Sequence, residues 1–104
     1  GVAYKKDVDD VRESPALDVI GLLEKKGAHV SYHDPYIPSF NHEGMVMQSE
    51  PDVIKAVEAA DCVVIITNHK AYDYPAILDA ARLVVDTRNA LGKTGRRSPK
   101  VTSL

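Results

Sequence analysis

The sequence predicts a three-layer α/β/α domain on a parallel, doubly wound sheet, and three observations carry that prediction. Short apolar runs alternate with helical patterns four times along 104 residues, an order that gives parallel strands joined by right-handed crossovers. The run Cys62-Val63-Val64-Ile65-Ile66 is continuously apolar and mostly β-branched, as expected of a strand buried on both faces. Polar turns bearing charge follow the first, third and fourth runs, so they gather at the carboxyl edge of the sheet, where such folds bind ligands. Placing the most apolar strands centrally gives the order 2-1-3-4, with a possible short extra edge strand over Met45–Gln48.

In chain order, Gly1–Tyr4 reads as the first strand, with the sequence beginning inside or just before it. A charged loop, Lys5–Glu13, leads to Ser14 at the N-cap of a helix and Pro15 at its first position, where the missing N–H is harmless. Ala16, Leu17, Val19, Ile20, Leu22 and Leu23 form an apolar stripe at helical spacing. Lys25 and Lys26 suit the last turn, and Gly27 supplies a left-handed stop. Ala28, Val30 and Tyr32 alternate with polar residues, which places this second strand toward an edge. Asp34 to Gln48 is a long connection. Ser49 and Asp52 fit a capping box for a helix through Ala60. After the third strand, Thr67–Lys70 forms a loop; Asp73 caps a short helix with Pro75 in its first turn, and Leu83–Val85 is the last strand.

Bulk properties narrow the class. A hydrophobic content of 44% and a charged content of 27% are ordinary for a single soluble domain with a real core. No run approaches the length of a membrane span, nor does the start read as a signal peptide. The single cysteine excludes a disulfide framework and suits a reducing cytoplasm. Residues 1–92 hold nine basic and fifteen acidic side chains, which argues against nucleic acid as a partner. The tail 93–104 carries four basic residues without periodicity and reads as flexible.

The candidate site residues sit in the strand-end turns. Lys5 and Arg12 flank a helix start that favours anions, and an arginine can grip a phosphate through two parallel hydrogen bonds. Charge pattern alone leaves open whether they meet a ligand or pair with Asp7, Asp9, Asp10 and Glu13 on the loop. Arg88 poses the same choice beside Asp86. Asp34 has the position of a ribose-binding acid, but no Gly-rich turn follows the first strand, so an autonomous dinucleotide site is rejected and Asp34 is assigned to its own proline turn. Cys62 is expected to pack in the core and His69 to lie at the surface; the histidines show no metal-ligand spacing.

Four segments, in order, carry a resemblance. They are Val2-Ala3-Tyr4-Lys5-Lys6-Asp7 continuing through Asp10-Val11-Arg12-Glu13-Ser14-Pro15-Ala16; His33-Asp34-Pro35-Tyr36; Ala60-Asp61-Cys62-Val63-Val64-Ile65-Ile66-Thr67; and Val85-Asp86-Thr87-Arg88-Asn89-Ala90-Leu91-Gly92. Together they resemble the C-terminal, UDP-binding domain of the nucleotide-sugar 6-dehydrogenases, most of all bacterial and archaeal UDP-N-acetylglucosamine-type members. The resemblance implies a Rossmann-like UDP-sugar-binding domain over residues 1–92. It implies that Tyr4, Lys5 and Arg88 contact the UDP-sugar and that Arg12 approaches NAD, the cofactor being held mainly by an N-terminal domain. Family members remove two hydrides in turn, through a thiohemiacetal on a cysteine outside this segment. Cys62 does not occupy that cysteine's motif, so catalysis by this segment alone is not expected.

The implied partners are a UDP-sugar and the N-terminal and central domains of a homodimer or higher oligomer, with no membrane partner. On this reading Lys5→Ala lowers turnover strongly, while Asp34→Ala barely matters. Two other functional classes share parts of this pattern. A stand-alone nucleotide-binding or assembly module remains the alternative. A receiver-type signalling domain is discounted, because it would end its third strand in an aspartate where Thr67 and Asn68 stand.

Overall fold

The computed structural model describes residues 1–3, 5 and 14–104. Helix α1 (Pro15–Lys25) begins as the sequence dictates: Ser14 caps it, its hydroxyl accepting from the Ala16 N–H at 3.3 Å, and Gly27 follows its end at φ 93°. The helix buries Ala16, Leu17 and Ile20 and leaves Leu22 58% exposed. Ile20→Ala is therefore expected to cost about 2–5 kcal/mol and Leu22→Ala less than about 0.5 kcal/mol, a contrast that urea unfolding of the two variants measures directly.

Strands β1 (Ser39–His42) and β2 (Met45–Gln48) pair antiparallel, Phe40 opposite Met47. They join through Glu43 and Gly44, both at positive φ, the two-residue turn whose twist matches a hairpin. The strand expected over Met45–Gln48 is thus present, in a hairpin of its own.

Helix α2 (Val53–Ala59) starts later than the capping box implies. Asp52 is its cap, accepting from the N–H groups of Ile54 and Lys55, because the Ser49 hydroxyl is engaged with the backbone of Asp34 instead. Strand β3 (Val63–Ile65) follows, then helix α3 (Tyr74–Ala80), capped by Asp73 with Pro75 in its first turn as expected. Strand β4 (Val84–Asp86) pairs parallel to β3.

The segment expected to be a flexible tail is ordered secondary structure. It forms helix α4 (Gly92–Arg97) and strand β5 (Val101–Ser103), which adds parallel to β4. Local composition hides this, because the strand is stabilised by a distant partner. Lys100 reinforces it, donating to the Ala81 carbonyl at 2.9 Å and the Asp79 carbonyl at 3.4 Å at the end of α3, where a cation also suits the helix dipole.

The result is a small α/β domain with a parallel sheet ordered β3-β4-β5. The expected strands over 1–4 and 28–33 form no ladder among the described residues; Tyr32 and Ser49 make one isolated parallel bridge. Residues 1–3 instead spend their backbone groups on side chains. Two apolar clusters result. One joins Val2 and Ala3 to α1, Tyr32, Ile37 and Phe40; the other joins α2, α3, β3, β4 and Leu91.

Candidate functional site at the strand ends

Because β3, β4 and β5 run parallel, Ile65, Asp86 and Ser103 align at one edge. The loop leaving β4 at that edge carries Arg88. Thr87 locks the β4 loop to β3, its N–H and hydroxyl donating to the Ile65 carbonyl at 3.1 and 2.7 Å. Asp86, 1% exposed, accepts from the N–H groups of Arg88 and Ala90 on Oδ1 and of Leu91 on Oδ2, at 3.0–3.1 Å. Its carboxylate folds the loop and takes no guanidinium. Arg88 projects from this loop, exposed and with no ion pair among the described residues. Asn89, next to it, takes φ 56°, a left-handed conformation that asparagine tolerates.

The segment before Lys5 is held from two sides. The N–H groups of Val2 and Ala3 donate to Asp34 Oδ2 at 2.8 and 3.0 Å. The Ala3 carbonyl accepts from the Thr67 hydroxyl at 2.7 Å, in the loop after β3. Lys5 follows two residues later, exposed. Tyr4 and Arg12 lie outside the described residues.

Asp34 corrects the sequence reading. It does hold its own proline turn, accepting from the Tyr36 N–H at 2.8 Å. It is also buried, with His69 Nε2 2.9 Å from Oδ2. An ionised carboxylate only accepts, so Nε2 carries the proton. His69 is fully buried, not a surface residue; Tyr36 and Tyr72 pack against its ring, and the Tyr74 hydroxyl accepts from its N–H at 3.1 Å. No periodicity reveals this pair, because 35 residues separate its members. Tyr72 closes the same region. Its hydroxyl donates to the His33 carbonyl at 2.7 Å and accepts from His33 Nδ1 at 3.0 Å. Cys62 is the other correction: β3 begins one residue later, so the thiol is exposed at the opposite end of the strand from these loops.

Burial alone would push the Asp34 carboxyl up; hydrogen bonds from Tyr36, His69, Ala3 and Val2 outweigh it and hold it below the usual carboxylate range. Burial, with Asp34 nearby, pushes the Tyr72 hydroxyl up, and burial pushes His33 down. Since the folded pKa of Asp34 is depressed, its contribution is complete above the unfolded value of about 3.9 and is lost as pH falls through the folded one. Acid unfolding monitored by circular dichroism is expected to steepen below about pH 4, and Asp34→Asn to flatten that dependence.

Both carboxylate oxygens of Asp34 are thus engaged by donors of the protein itself, Oδ2 by three and Oδ1 by the Tyr36 N–H. A separate cleft of about 250 Å³ is lined by Tyr72, Tyr74, Pro75, Leu78, Ala90 and Leu91. Its lining holds no charged side chain.

Residues 1–93 match the model of the UDP-glucose/GDP-mannose dehydrogenase family, UDP binding domain. The UDP-N-acetyl-D-mannosamine dehydrogenase of Methanococcus vannielii is 34% identical over 88% of this chain, and the UDP-glucose 6-dehydrogenase TuaD of Bacillus subtilis 36% identical over 84%. The alignments span 22% and 18% of those proteins, so the chain covers about a fifth of their length. The native structure of the UDP-N-acetyl-mannosamine dehydrogenase Cap5O from Staphylococcus aureus superposes with a TM-score of 0.71 at 29% identity, over 99% of this chain and 24% of that one.

Proposed function

Because the chain belongs to the UDP-glucose/GDP-mannose dehydrogenase family as its UDP binding domain, we propose that it grips the UDP moiety of a nucleotide sugar for an NAD-dependent oxidation of the sugar C6 alcohol to a carboxylate. Lys5 and Arg88 are the diphosphate and sugar contacts, Tyr4 lies against the same ligand, and Arg12 faces the NAD. The UDP-binding unit is residues 1–92. The nicotinamide cofactor and the reactive cysteine come from the remainder of a longer polypeptide, as the greater length of the relatives suggests. Positioning by remote contacts of this kind lowers the barrier at the reacting carbon. Nothing in the fold or the relatives favours a stand-alone assembly module.

One observation carries the reading. Asp86 is fully occupied by backbone N–H groups, so the Arg88 guanidinium stands exposed at the carboxyl edge without an internal counter-ion among the described residues. Titration calorimetry tests it by comparing UDP with uridine. A diphosphate held by charge-assisted bonds should bind at least about tenfold more tightly than the bare nucleoside, and its advantage should shrink with added salt. Equal affinities for UDP and uridine would refute a phosphate-binding role.

A further inference from the structure

The hydrogen bonds around residues 1–3 have a consequence for the ligand as well as for the fold. Both N–H groups of Val2 and Ala3 end on Asp34, and the Ala3 carbonyl ends on Thr67. A methyl group at Gly1 would come within 2.9 Å of Thr67 Cβ and 3.2 Å of His69 Cδ2, so the backbone passes close against these two side chains. His69 fixes Asp34 in turn, through the same carboxylate oxygen that takes both N–H groups. Lys5 follows Ala3 by two residues, at most roughly 7 Å of chain. The anchor, built from parts of the sequence more than 30 residues apart, therefore limits where the Lys5 backbone can lie.

We infer that Thr67, together with the Asp34–His69 pair, positions Lys5 for the nucleotide, setting UDP affinity without touching the ligand. This rests on the assignment of Lys5 to the UDP-sugar, and the experiment separates the two. UDP dissociation constants are measured for the chain and for Thr67→Val, Lys5→Ala and the double variant, at a temperature where circular dichroism shows all four folded. Thr67→Val keeps the side-chain shape and removes the hydroxyl. It is expected to weaken UDP binding roughly fivefold to tenfold, Thr67→Ser to restore it within about twofold, and the Thr67→Val loss to vanish once Lys5 is alanine. A Thr67 contribution that does not pass through Lys5 would give the same loss in both backgrounds, and that additive result would overturn the inference. So would unchanged affinity in Thr67→Val. A wild-type chain that takes up no UDP would overturn the underlying assignment instead. Should Thr67→Val not fold, Asp34→Asn enters the same cycle with the same expected coupling.

Discussion

Asp34→Ala is expected to destabilise the domain by about 3–5 kcal/mol, because several buried donors share this one carboxylate as their acceptor. Four donors lose their acceptor at once: the N–H groups of Val2, Ala3 and Tyr36 and the His69 ring. Each buried donor left unsatisfied costs about 1–3 kcal/mol before the structure relaxes or admits water. Since a small domain has only about 5–15 kcal/mol in total, urea unfolding should show a large shift of the midpoint. A change within about 0.5 kcal/mol, the size of an ordinary surface effect, would mean that the buried network does not exist in solution. Asp34→Asn should fall between the two, since the amide oxygen still accepts from the backbone while its NH₂ group faces donors.

Arg88→Ala is expected to do the reverse, abolishing much of the binding while leaving the fold alone. The side chain is exposed and makes no ion pair among the described residues, so the melting temperature should not move. A charge-assisted hydrogen bond contributes about 1.5–3 kcal/mol, hence UDP affinity should drop roughly tenfold to a hundredfold. Arg88→Lys should recover only part of this, because an ammonium cannot reproduce the planar two-pronged contact. Lys5→Ala, assayed in a catalytically complete parent protein, should lower turnover strongly. UDP affinity unchanged in Arg88→Ala would remove that residue from the site.

What the sequence made legible was local. The Ser14-Pro15 helix start, the Gly27 stop and the Asp73 cap each involve residues within a few positions of one another, and all three stand as expected. What it hid was long-range. Ser49 looks like a cap until Asp34 claims its hydroxyl, and Asp52 then takes over. Val101–Ser103 has the setting of a tail and becomes a strand only because β4 offers a free edge. His69 looks like a loop residue, and its burial follows from a carboxylate 35 positions away. The strand-end turns were recognisable because charged residues follow apolar runs there. The network that holds those turns has no periodic signature, because its members are 31 to 64 residues apart.

The most direct test of the account is a UDP titration of the ¹⁵N-labelled chain followed by amide NMR. The account predicts saturable shifts centred on Lys5, Thr67 and the Arg88–Leu91 loop, with the β1–β2 hairpin unmoved. Shifts centred elsewhere, or none up to millimolar UDP, would contradict a nucleotide site at the carboxyl edge of this sheet.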